Sequence, residues 1–254
     1  DDLELMKRPD WMLTLSTYGE NSAFDVVFKP GFNPSLISMD GRYSMIPSKY
    51  DPLMDMLIKE DTEFYTMNTH ELSTFSAGAR YRFMFDPVDV GFMYYYGYFH
   101  DPGQAFKIDY DYPTMANIKF ESITSLYTRY HFIGIESSYF FSPFTLAVEG
   151  GMFLSEDSKG TDYRLYNSKL VYLAELSYTN PNNSFFLAFN YQGQIVLNYD
   201  PAIISIMGND VSLDADLLAS FNYVPYQNNF TLAMEYPFMR EKMKVRVAGT
   251  YQLE

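Results

Sequence analysis

Residues 183–199 read NSFFLAFNYQGQIVLNY and keep a period of two from end to end. Phe185, Leu187, Phe189, Tyr191, Gly193, Ile195 and Leu197 form one set, and Ser184, Phe186, Ala188, Asn190, Gln192, Gln194 and Val196 the other. Successive side chains of a β-strand point to opposite faces, so this segment has one apolar, aromatic face and one that turns polar. Strands of soluble domains run about 5–6 residues, whereas a tilted strand crossing a bilayer needs about 9–11. A dyad repeat held over fourteen positions points to the membrane.

The rest of the chain repeats the pattern. Alternation predicts eleven strands, near 11–18, 24–28, 72–85, 88–98, 122–141, 144–154, 170–178, 185–197, 213–223, 230–236 and 243–253. The connections after the odd strands are tight turns and those after the even strands are long, Pro237–Glu241 being the exception. Short turns at one end and long loops at the other describe an outer-membrane barrel with periplasmic turns. The fold class expected is therefore all-β, a transmembrane antiparallel up-and-down β-barrel, with residues 1–254 as one domain. An odd count, and the ending Gln252-Leu253-Glu254, suggest part of a larger even-stranded barrel. The longest connection, 30–68, is expected to be extracellular, with a short amphipathic helix over Leu53–Ile58. It reads either as a constriction folded into the lumen or as a surface lid or receptor site.

Composition agrees with two opposed faces. The chain holds 24 Tyr and 22 Phe, yet its mean hydropathy is −0.20, as expected when lipid-facing and lumen-facing residues cancel. No run of about 18 apolar residues exists, which excludes helical spans. A net charge of −14 argues against a nucleic-acid partner, and the lack of cysteine excludes disulfides and thiolate metal sites.

Function is expected on the polar face. Its charges are Arg80 and Arg82 on one strand, Lys242, Lys244 and Arg246 on the last, and Glu136, Glu149, Glu175, Asp214, Asp216 and Glu235 between. Asn190, Gln192 and Gln194 form an uncharged stretch of lumen wall, while Phe185, Leu187, Phe189, Tyr191 and Ile195 face lipid. The charges allow two readings: a transverse field across an open lumen, or salt bridges filling a narrow one. Acidic loop residues such as Asp51, Asp55, Glu60, Asp61, Asp157 and Asp162 are read as solvated charge or as sites for cations bridging lipids. No catalytic residue, metal site or cofactor is expected. His70, His100 and His131 lie in or near predicted loops, and the nearest approach to a hydrolase arrangement is His131 with Ser137 and Ser138.

Four stretches carry a resemblance: FKPGFNPS at 28–35, DVGFMYYYGY at 89–98, YHFIGIESS at 130–138 and FTLAVEGGMF at 144–153. They resemble a porin-like family of uncharacterised Gram-negative outer-membrane β-barrels, a domain of unknown function whose members look longer at both ends. The resemblance implies an outer-membrane location and transport of a small or lipidic molecule, and supplies no catalytic residues. The expected function is a channel or transport barrel passing small polar or lipidic molecules through a charged lumen. The alternative is a plugged barrel, structural, anchoring or adhesin-like. Expected partners are outer-membrane lipid and a periplasmic or other envelope protein. A soluble β-sandwich is the third possibility.

Overall fold

A computed structural model describes residues 11–33, 57–66, 71–111, 116–162, 164–182, 185–198, 203–206, 209–212, 226–238 and 243–253. The alternating segments become strands: β1 (Leu13–Tyr18), β2 (Ser22–Lys29), β3 (Glu63–Thr66), β4 (Ser76–Phe85), β5 (Val88–Tyr98), β6 (Gly103–Asp111), β7 (Ala116–Leu126), β8 (Arg129–Phe141), β9 (Phe144–Ser155), β10 (Lys169–Thr179), β11 (Phe186–Val196), β12 (Ile203–Ile206), β13 (Asn209–Ser212), β14 (Tyr226–Phe238) and β15 (Met243–Leu253). Ten of them build one antiparallel sheet in the order β1-β2-β4-β5-β8-β9-β10-β11-β14-β15. A three-stranded sheet, β3-β7-β6, and the hairpin β12–β13 stand apart from it.

The main sheet is an up-and-down meander. Connections 19–21, 86–87, 142–143, 180–185 and 239–242 lie at one end, and the longer 30–75, 99–128, 156–168 and 197–225 at the other. Pro237–Glu241 is no exception after all. β14 pairs directly with β11, from Ile195↔Tyr226 to Phe186↔Glu235, so the turn after β14 falls at the tight end. That pairing leaves no place between β11 and β14 for the strand expected at 213–223. Those residues lie outside the described ones, as do Asp214, Asp216 and Lys242. Among the described residues the main sheet has ten strands, an even number.

The strand expected over 122–141 divides in two. β7 pairs with β6, β6 falling wholly and β7 partly in what alternation marked as loop, and β8 starts afresh at Arg129. The break is pinned from two sides. The Tyr127 ring meets Phe32 edge-on at 5.1 Å, and the fully buried Thr128 hydroxyl accepts a hydrogen bond from the Tyr166 backbone N–H at 2.9 Å. Within the long connection 30–75, β3 runs parallel to β7, and the Thr62 hydroxyl donates to the Phe120 carbonyl at 3.0 Å. The helix expected at Leu53–Ile58 lies largely outside the described residues.

Barrel closure is not seen among the described residues. β1 and β15 each pair with one neighbour only and are the two edges of an open sheet. No described helix is long and apolar enough to cross a membrane. Burial is sparse for so aromatic a chain: the buried apolar cluster is Phe32, Tyr98 and Tyr127, where the long connections meet the sheet.

Candidate functional site on the polar face of the sheet

Strand register sorts the side chains into two faces, because directly paired residues lie on the same side. One face is apolar and uncovered. A row across its middle, Phe92, Ile135, Val148, Phe189, Leu232 and Val247, is 45–57% exposed. Leu187, Phe189, Tyr191 and Ile195 of β11 lie on this face, and Phe185 joins it just ahead of the strand. Two rows of touching rings bound it. At the tight-turn end, centroid distances are 5.4 Å for Tyr139–Phe141, 5.5 Å for Phe141–Phe144 and 5.2 Å for Phe144–Tyr178. Tyr178–Phe185 and Phe185–Tyr236 continue the row at 6.4 Å each. At the other end Phe28 meets Phe75 at 6.1 Å, Phe75 meets Tyr96 at 5.6 Å, and Tyr96 meets His131 at 5.0 Å. On β8 the rows stand at Tyr139 and His131, separated by about 26 Å at about 3.3 Å per residue.

One polar cluster interrupts the apolar face. Asn228 is fully buried, and the Tyr172 and Tyr191 hydroxyls both donate to its Oδ1, Tyr191 at 2.9 Å. The Tyr191 hydroxyl therefore finds its partner within the sheet.

The opposite face carries the charges, and among the described residues of the main sheet they balance: Asp25, Asp89, Glu136, Glu149, Glu175 and Glu235 stand against Lys29, Arg80, Arg82, Lys169, Lys244 and Arg246, six of each sign. Several are paired at contact distance. Arg80 donates to Glu136 Oε1 from Nε at 2.9 Å and also from its terminal nitrogen. This pair spans from β4 to β8 across β5, and Gly91 makes that reach possible, because a Cβ at Gly91 would occupy the space of the Glu136 carboxylate. Arg82 stands 3.8 Å from Asp25, Lys244 donates to Glu235 at 2.8 Å, and Arg246 lies directly opposite Glu235. Among the described residues these opposite charges pair locally, since strand register places them side by side. Glu175 accepts from the Asn190 amide at 3.3 Å. Glu149 lies opposite Glu136 and has no ion-pair partner among the described residues.

Between β9 and β14 the polar face hollows into a concavity of about 340 Å³. Gln192 and Gln194 form one side; Gln227 and Asn229 continue it on β14, with Gln194 donating to Gln227 Oε1 at 3.2 Å. Val171, Leu173 and Gly151 form the floor, and Met93, Phe132 and Glu149 the far side. The Phe132 ring lies across Gly134 and Gly151, either of which would strike it with a Cβ. An adjoining hollow of about 240 Å³ holds Arg80, Arg82, Asp89 and Glu136, and Glu149 borders both. Towards the long connections, Phe99, Tyr130, Phe153 and Tyr166 cluster with centroids 4.5–5.5 Å apart. Lys169 Nζ sits 5.2 Å from the Phe99 centroid and 5.3 Å from that of Phe153, and donates to Gln194 Oε1 at 3.4 Å.

Gln227 and Asn229 were hidden by their neighbourhood. Residues 226–229 read as a turn because Asn-Asn favours one. The polar phase Gln227, Asn229, Thr231, Ala233, Glu235 nonetheless runs unbroken into the strand. His131 is hydrogen-bonded through Nδ1 to the Tyr94 hydroxyl at 2.7 Å on the apolar face. Ser138 points to the opposite face, and Ser137 lies about 20 Å further along β8, so neither meets His131. Three of the described acidic loop residues have local partners. Asp61 faces Lys119 at 2.5 Å, Asp162 faces Arg164 at 2.8 Å, and the Asp157 carboxylate accepts from the Gly160 and Asp162 backbone N–H groups. Arg164 holds the Asp162 carboxyl below the usual carboxylate range.

Searches of family models, curated proteins and solved structures return no match to this chain.

Proposed function

We propose that this chain forms the wall of a porin-like transport barrel in a Gram-negative outer membrane, passing small polar molecules along the polar face of its ten-stranded sheet. The uncovered apolar face bounded by two rows of rings carries the reading. Such a face is far larger than the patches of a few hundred Å² that soluble monomers expose, and calls for lipid or a partner. A spacing of about 26 Å along strands tilted by about 40° projects to about 20 Å along a barrel axis, of the same order as the apolar band about 25 Å tall between aromatic girdles. Rings suit those levels, since they bury a body and keep a polar tip wet. Parity supports closure. Ten alternating strands leave β1 and β15 antiparallel to each other, the relation that an ordinary ladder requires. In hydrocarbon an unpaired edge costs several kcal/mol per backbone group, so closing the edges is the stable outcome. The family resemblance of residues 28–35, 89–98, 130–138 and 144–153 agrees with this assignment.

The second reading, a plugged barrel that anchors an envelope partner or displays loops as an adhesin, draws on a different observation. The Phe99, Tyr130, Phe153 and Tyr166 cluster crowds the polar face at the long-connection end. Vesicle swelling separates the two. Protein refolded into vesicles, its folded state verified by heat-sensitive gel mobility, is expected to admit neutral sugars. Folded protein that admits none would refute transport and leave the plugged barrel.

A further inference from the structure

We infer that the concavity between β9 and β14 is a binding subsite for a neutral polyhydroxylated solute, a sugar of about one or two rings. This rests on the transport reading and names its substrate class.

The chemistry of the concavity selects for hydroxyl groups. Gln192 and Asn229 each offer an acceptor oxygen and a donor NH₂ group, Gln227 adds its NH₂ beside the oxygen that Gln194 already engages, and a sugar hydroxyl both donates and accepts. The Glu149 carboxylate accepts hydrogen bonds and has no ion-pair partner among the described residues, so it can take hydrogen bonds from vicinal hydroxyls. It also disfavours anions. The opposite requirement, an apolar surface for the C–H faces of a ring, is met by Phe132 and Met93. Phe132 is held flat by the absence of side chains at Gly134 and Gly151 beneath it. A volume of about 340 Å³ lies within the range of small-molecule sites. Among the described residues the charges of the surrounding face balance, so hydrogen bonding is the basis of selection.

Single-channel current in planar bilayers, with maltose, glycine and arginine as probes, tests this. Maltose is expected to reduce the current saturably, glycine and arginine are not, and Asn229→Leu or Gln192→Leu is expected to raise the half-blocking maltose concentration about tenfold. A linear fall tracking viscosity alone would overturn the inference, as would block unchanged by both substitutions. So would saturable block by arginine, which would mark Glu149 as a cation site. A folded protein that forms no channel refutes transport instead. The subsite is then read by titration calorimetry in detergent, where saturable maltose binding weakened by Asn229→Leu supports it and no binding overturns it.

Discussion

Replacing Arg80 by methionine removes the cation that holds Glu136, and the cost can be worked from the geometry. Two guanidinium N–H groups converge on Glu136 Oε1, with Nε at 2.9 Å, and a charge-assisted hydrogen bond contributes about 1.5–3 kcal/mol. The Glu136 side chain is only 17% exposed, so water replaces the lost partner poorly. Glu149, directly opposite, then faces an uncompensated like charge. At about 6 Å and an effective dielectric constant of about 40, that repulsion adds about 1 kcal/mol. Arg80 itself is 41% exposed, which trims the first contribution, and the expected net loss is about 2 kcal/mol. Urea unfolding in vesicles, followed by the loss of the heat-sensitive gel band, measures it. Adding Glu136→Gln to the Arg80→Met protein should recover about 1 kcal/mol, because the stranded carboxylate is gone. A loss under about 0.5 kcal/mol, or a second substitution that costs further stability, would refute pairing across β5.

Three further outcomes follow from other parts of the fold. Gly151→Val pushes the Phe132 ring out of place and is expected to cost about 1–3 kcal/mol by overpacking, measured in the same urea titration. Trp11, the only tryptophan, is 88% exposed and precedes β1 at the end where Phe28, Phe75 and Tyr96 form their row. Its emission should be quenched by lipids brominated near the headgroup more than by lipids brominated at the chain end. The depressed Asp162 carboxyl makes its contact with Arg164 fully present above the ordinary aspartate pKa, and that contact is lost as pH falls through the lower, folded value. Protease cleavage in 156–168 should rise only in that acidic window, and Arg164→Gln should move its onset to higher pH.

Period-two alternation exposed most of the main sheet because it is a property of one strand and its two environments. β5, β9, β10 and β11 lie close to where alternation places them, and the turn lengths reveal their up-and-down order. Partner choice is a property of pairs, and there alternation is silent. Residues 213–223 alternate as well as any strand in the sheet, yet β11 takes β14 as its neighbour. The end of β7 was equally hidden, since the Phe32–Tyr127 contact joins residues far apart in the chain. The same limit applied to the site. Asn190, Gln192 and Gln194 were legible as polar wall, whereas their completion by Gln227 and Asn229 depends on register. Arg80 and Glu136 were each legible as polar-face charges, but their meeting needs the gap that Gly91 leaves.

Closure of the sheet is the central claim, and a chain without cysteine lends itself to testing it. Ser16→Cys on the polar face of β1 is combined in turn with cysteine at Lys244, Arg246, Ala248, Thr250 and Gln252 on the polar face of β15. A disulfide forms only when the Cα atoms come within about 7 Å, so oxidation in vesicles reads edge-to-edge pairing directly. The account predicts an intrachain disulfide for one position or two successive ones, seen as a faster-migrating monomer on non-reducing gels. Failure of all five pairs, or crosslinking only between two chains, would contradict a barrel closed by β1 and β15.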